Sequence, residues 1–154
     1  MSQPIFIWAT PIWGTPWSWQ PRLTTTLVPL DISSHLSFTY DFLEQLPSST
    51  TRAGRFLRRV MPYAFRSHRR CLGLEGIHLH DAVALVAVTN PELFSTDSTA
   101  GDVEIGGELT TGATIFDRRQ IPQWRPNMDV AVELDVAGAR DVILRGLQRA
   151  GEAG

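Results

Sequence analysis

Between Asp81 and Thr89, the residues Val83, Leu85, Val86 and Val88 fall on nearly every side of a helix. A helix with no polar face has to be buried in a larger body. Asn90-Pro91 stops it, because a proline drives the residue before it out of the helical region. A chain that holds such a helix must therefore supply layers to cover it. Its 154 residues suffice for one domain with its own core. Hydrophobic residues make up 43% and charged residues 19%, which is too apolar for a disordered chain and too polar for a membrane protein. No stretch approaches the roughly 20 apolar residues of a membrane span.

The first 22 residues differ from the rest. Trp8, Trp13, Trp17 and Trp19 crowd in with Pro4, Pro11, Pro16 and Pro21, so residues 1–22 are expected to be an irregular head and residues 23–150 the domain. The apolar opening has no basic residue before it and does not read as a signal peptide. From Leu23 to Asp31 the β-branched run predicts a buried strand. Thr39 to Leu46 reads as a short helix capped by Thr39. Residues 52–70 carry Phe56, Leu57, Val60, Met61 and Phe65 at helical spacing, with an interruption expected at Pro62. Asp102 to Asp117 reads as two strands about a glycine-rich turn, with Val103, Ile105, Leu109 and Ile115 facing inward. Met128 to Val136 alternates as another strand. Asp135 is placed to cap a last helix with Val142, Ile143 and Leu147 on its apolar face and Gly151 as its C-terminal cap. Strands alternating with helices imply an α/β sheet, and the 102–117 stretch implies an antiparallel hairpin beside it.

The net charge of −2 gives no nucleic-acid signal, although the charge is unevenly spread. Residues 1–70 hold eight arginines and three acids, whereas residues 71–154 hold six arginines and thirteen acids. The helix at 52–70 carries Arg52, Arg55, Arg58, Arg59, Arg66, Arg69 and Arg70. The plain reading is a solvated face; the sharper one is contact with an anion or a membrane surface. Neither a nucleic-acid motif nor interleaved aromatics accompany it. The lone Cys71 excludes an internal disulfide and a zinc site built on several thiolates, and makes a reducing, cytoplasmic setting the default expectation.

Ionisable residues are densest at Glu75-Gly76-Ile77-His78-Leu79-His80-Asp81. Three readings compete. In the first, Asp81 caps the apolar helix and the histidines lie on a surface loop. In the second, His78 and His80, two apart on one strand face, bind a metal. In the third, His80 donates a proton and Asp81 gives oxygen to a hard cation such as calcium. Gly101, Gly106, Gly107 and Gly112 match neither a dinucleotide nor a phosphate-loop pattern and read as turns and bulges, so no cofactor-binding residue is assigned.

The same cluster, as Gly76-Ile77-His78-Leu79-His80-Asp81-Ala82, resembles the "HDP" segment of inosine/uridine-preferring nucleoside hydrolases. Leu30-Asp31-Ile32-Ser33 is similar to that family's "LDVT", Asn90-Pro91-Glu92-Leu93-Phe94 to its "DPELF", and Val103 to Asp117 to its "VEtxGxlTrG" hairpin. Pro126-Asn127 through Asp135 resembles its last strand. The resemblance runs from Leu23 to Leu147 and covers the family's C-terminal half. It implies a Rossmann-like α/β sheet and hydrolysis of the N-glycosidic bond of purine and pyrimidine ribonucleosides with a bound calcium ion. It gives His80 the role of general acid at the leaving base and Asp81 that of calcium ligand. Tyr63 and His68 fall in the segment that the family places over the nucleobase. The departures are as informative. The family's "DxDxGxDD" cluster has no counterpart here. In a segment similar to "FNIxxDP", Phe6 stands at an asparagine, Pro4 at a glutamate and Thr10 at an aspartate. Ala82 stands where the family has proline. The chain alone is therefore expected to be inactive, completed by an N-terminal half or a homo-oligomer; the alternative is a non-catalytic paralogue serving as a binding partner or oligomer subunit. Neither nucleic acid nor membrane is expected as a partner.

Overall fold

The computed structural model describes Ile5–Phe6 and residues 25–152. In chain order the elements are β1 (Ile5–Phe6), β2 (Thr25–Leu27), α1 (Leu30–Ser33), β3 (Ser37–Phe38), α2 (Arg52–Leu72), β4 (Ile77–His78), α3 (His80–Thr89), β5 (Phe94–Thr99), β6 (Gly101–Val103), β7 (Thr114–Phe116), β8 (Met128–Leu134) and α4 (Val136–Glu152). Single 3-10 turns occupy Tyr40–Leu43 and Pro91–Leu93. The tryptophans of the head, with Pro4 and Thr10, lie outside the described residues.

The chain divides into two compact units, Met1–Pro29 with Phe94–Glu133, and Leu30–Leu93 with Leu134–Gly154. The first holds a four-stranded sheet in the order β1-β2-β8-β5. Parallel pairing sets Ile5 beside Thr25, Thr25 beside Met128 and Leu27 beside Val130. The hairpin expected at 102–117 is present, with β6 and β7 antiparallel. Its apolar residues do not all point inward, however. Each strand has only three residues, so Ile105 (85% exposed) and Leu109 (97%) ride on the connecting loop, and Ile115 is exposed as well. After β7 the chain closes around Asp117, whose carboxylate is fully buried. It accepts from Arg119 Nε at 2.6 Å and from the backbone N–H of Gln123 and Trp124 at 2.8 and 3.0 Å. The Arg119 guanidinium and these amides hold the acid far below the usual carboxylate range, against the opposing effect of burial. Asn127 clips the same loop to β6 by exchanging two hydrogen bonds with the Gly101 backbone.

The second unit carries the helices. Of the strand read from Leu23 to Asp31, Leu23 and Thr24 lie outside the described residues, Thr25–Leu27 is β2, and the strand stops short of Asp31 because Pro29 ends it and Leu30 opens α1. The turn at Tyr40–Leu43 is shorter than the helix expected from Thr39. The Thr39 hydroxyl does not cap it, but donates instead to the Asp41 side chain. The basic segment forms one uninterrupted 21-residue helix. The Thr51 hydroxyl caps it by accepting from the Gly54 amide at 3.0 Å, and Gly73, at φ +69°, closes it in the left-handed conformation that glycine adopts without strain. Pro62 removes one amide from the ladder, but Phe65, one turn on, is buried and stacks on Tyr40 at 4.6 Å, so packing carries the helix past it. Of the expected apolar face, Phe65 is buried and Leu57 and Met61 are half-buried, whereas Phe56 and Val60 are exposed. α3 is likewise not covered all round: Val83, Val86 and Ala87 are buried, while Leu85 and Val88 are exposed. α4 packs on α2 and α3. The Asp135 carboxylate caps it at the Gly138 amide, as its sequence position implies. Gly151 is not its cap. It lies within the helix, where a Cβ would come within 2.6 Å of Pro47. Phe38, Phe42, Phe65, Ile77 and Val83 form the centre of this core, and the Arg140 guanidinium lies 4.8 Å over the Phe38 ring.

Candidate functional site

β4 and α3 meet at Leu79, and this junction builds the site. β3 pairs with β4 antiparallel, setting Ser37 beside His78. His78 is fixed there, with its Nδ1 donating to the Leu36 carbonyl at 3.3 Å. Leu79 is the N-cap of α3, so His80 is the first helical residue and Asp81 the second. The reading of Asp81 as the cap is thereby overturned. Asp81 stays exposed in the first turn, where a carboxylate complements the positive end of the helix. The two histidines do not share a strand either. His78 closes β4, His80 opens α3, and their rings stack with centroids 5.6 Å apart.

His80 is half-buried and anchored from below. Its Nδ1 lies 2.8 Å from the hydroxyl of Ser33, which is 1% exposed at the end of α1. Burial, and then the neighbouring His78 and His68, push the imidazole below the ordinary histidine value; Asp81 pulls the other way. His68 sits on α2, half-buried, with Nδ1 on the Ala64 carbonyl at 3.1 Å. Tyr63, on the same helix, is 68% exposed. Phe6 belongs to β1, in register with Thr26.

A calcium ion takes about six to eight oxygen ligands, and one carboxylate supplies at most about two of them. Among the described residues no three His, Cys, Asp or Glu side chains gather as a metal-binding group. These residues do not by themselves fit a calcium ion: among the described residues, Asp81 is an exposed carboxylate that belongs to no such group. What they do form is a protonatable nitrogen held in place by a buried hydroxyl, beside a carboxylate.

The sequence placed His80 and Asp81 together because they adjoin. It missed Ser33, 47 positions away from His80. The signal was present in Leu30-Asp31-Ile32-Ser33, the segment similar to "LDVT", which ends on a hydroxyl. Cys71 is exposed and takes no part. No described helix is long and apolar enough to cross a membrane.

A family model described as inosine-uridine preferring nucleoside hydrolase matches residues 13–141. The inosine-uridine preferring nucleoside hydrolase of Crithidia fasciculata is 28% identical over 135 residues, which cover 88% of this chain and 42% of the relative. The non-specific ribonucleoside hydrolase RihC of Escherichia coli is 34% identical over 110 residues, covering 71% and 34%. Among solved structures, the purine-preferring ribonucleoside hydrolase from Gardnerella vaginalis superposes with a TM-score of 0.74 at 26% identity, over 86% of this chain and 42% of that one. The chain thus spans less than half the length of each of these proteins. The ordered motifs, the fold and a family match over most of its length agree: the chain belongs to the inosine-uridine preferring nucleoside hydrolase family.

Proposed function

We propose that this chain serves the hydrolysis of the N-glycosidic bond of purine and pyrimidine ribonucleosides to base and ribose, with His80 as the proton donor to the leaving base. The observation that carries this is His80 itself, anchored at Nδ1 by a buried hydroxyl so that its other nitrogen is left for a ligand. The names of the relatives, nucleoside and ribonucleoside hydrolases, support the substrate class. A nucleobase leaves poorly as an anion, and an imidazole is the side chain suited to protonate it near neutral pH. Asp81 is proposed as one donor to calcium. The proposed setting is cytoplasmic, with a homo-oligomer or an N-terminal half completing the site.

The test is release of base from inosine and from uridine. It is run with calcium on the chain alone, and on the chain mixed with the N-terminal part of a relative that this chain does not span. The expected outcome is calcium-dependent activity that His80→Ala lowers by about 10²–10⁴-fold and that Asp81→Ala abolishes. Activity that both variants leave unchanged overturns the assignment. A second reading, a non-catalytic subunit, is favoured by the apolar Leu85 and Val88 left exposed on α3. No turnover in either arrangement, with His80 and Asp81 intact, selects it.

A further inference from the structure

We infer that one copy of this chain docks its β6–β7 hairpin on the exposed side of α2 of a second copy, apolar side chain against apolar side chain and acid against arginine. The inference rests on the homo-oligomer proposed above and names the two surfaces that meet in it.

The first surface is on α2. Phe56 is 65% exposed and Val60, four residues on, is 38% exposed. Residues three or four apart share one side of a helix, so Arg52 and Arg59 belong to the side of Phe56, and both are exposed. α2 contains no acidic residue. Two of its other arginines are engaged: Arg58 donates to three backbone carbonyls, and Arg69 lies 3.6 Å from Glu75. Neither Arg52 nor Arg59 forms an ion pair among the described residues. This side of α2 therefore offers apolar surface with uncompensated positive charge beside it.

The second surface is its converse. From Gly101 to Phe116 the chain carries Asp102, Glu104 and Glu108 and no basic residue. Ile105 and Leu109 are 85% and 97% exposed on the connecting loop, and Asp102 stands in register with the exposed Ile115. The loop is held in shape from within. The Glu104 carboxylate accepts from the Gly106 and Gly107 amides at 2.7 and 3.1 Å, and its carbonyl accepts from the Gly112 amide at 2.7 Å. Apolar side chains presented on an ordered loop lose little freedom on docking, so their burial goes into binding.

Apolar patches rimmed by charge mark interaction surfaces. Here the two patches match in both respects, apolar to apolar and negative to positive. An anionic lipid surface or a nucleic acid suits α2 alone and is repelled by the acids of the hairpin. A second copy covers both patches. Because the patches differ, the contact is heterologous, each copy giving one of each.

The experiment is sedimentation velocity on the full 154-residue chain at rising concentration. The expected result is self-association that weakens as salt rises from about 0.1 M to about 1 M. Arg52→Glu combined with Arg59→Glu is expected to raise the dissociation constant about tenfold or more, since like charges then face each other. Asp102→Arg combined with Glu108→Arg should do the same, and mixing the two double variants should restore association. Cross-linking locates the contact: with Cys71→Ser in both chains, Leu109→Cys in one and Phe56→Cys in the other should give a mixed disulfide, and either variant alone should not. A parent chain that stays monomeric overturns the inference, as does association that neither salt nor charge reversal moves, or equal cross-linking in every pairing. Binding to phosphatidylserine vesicles without self-association assigns α2 to a lipid surface and also overturns it. Mass and cross-link are read without turnover. Association with no base release leaves this contact standing and removes the catalytic reading; base release from a chain that stays monomeric does the reverse.

Discussion

Asp117 shows how one buried charge can organise a loop. Its carboxylate has no exposed surface, and it gathers Arg119, Gln123 and Trp124 around itself. Its lowered pKa means that the folded chain binds that proton less readily than the unfolded chain does. The stabilisation is therefore present above the unfolded carboxylate value, about 3.9, and is lost as the pH falls below it toward the folded value. Asp117→Asn should lower the thermal midpoint at pH 7 by several degrees. It should also flatten the fall of that midpoint between about pH 5 and pH 3, which thermal scans across that range would measure. A variant whose acid limb runs parallel to the parent's would refute this account. Asp117 was legible in the sequence only as the end of a hairpin. Its partners lie two to seven positions downstream in a stretch without periodicity, and pattern reading has nothing to grip there. Ser33 was hidden for the opposite reason: its motif was visible, but its partner was far away.

Among the elements, α2 separates what periodicity can reveal from what it cannot. The spacing of apolar residues located the helix, and Thr51 and Gly73 bound it. Periodicity could not say that Phe56 and Val60 face solvent, because that depends on how far the neighbouring turn reaches along the helix. The turn reaches the first part closely. Arg58 donates to the carbonyls of Leu43, Leu46 and Pro47, and a Cβ at Gly54 would lie 2.0 Å from the Ser48 oxygen. Backbone cannot move aside as a side chain can, so Gly54→Ala should cost about 1–3 kcal/mol or more. Gly146, inside α4, has open space where a Cβ would stand, with nothing within 4 Å, so Gly146→Ala should instead stabilise by about 0.5–1 kcal/mol through helix propensity. Urea midpoints of the two variants should move in opposite directions. A shift of the same sign in both would show that propensity rather than close approach governs these helices.

Across the whole molecule, all basic residues are arginine, so trypsin can probe every basic position with one specificity. Proteolysis requires local opening, and the loop from Arg118 to Asn127 is exposed and without regular structure, whereas seven arginines lie in α2. Among the described arginines, the first cut should fall after Arg118, since Arg119 is held by Asp117 and Arg125 precedes Pro126. Mass spectrometry of early digests checks this, and a first cut within α2 would contradict it. The hairpin was legible because it is written in contiguous residues, and the α/β class because strands and helices alternate along the chain. The division into two units was not, because both are stitched from separated segments. The same stitching has a temporal consequence. β2 pairs in parallel with β8, about a hundred residues later in the chain. At a synthesis rate of about 5–20 residues per second, β2 waits on the ribosome for roughly 5–20 seconds before its partner exists. During that interval the edge of β2 that β8 will cover is open to any other strand or chaperone in the cell.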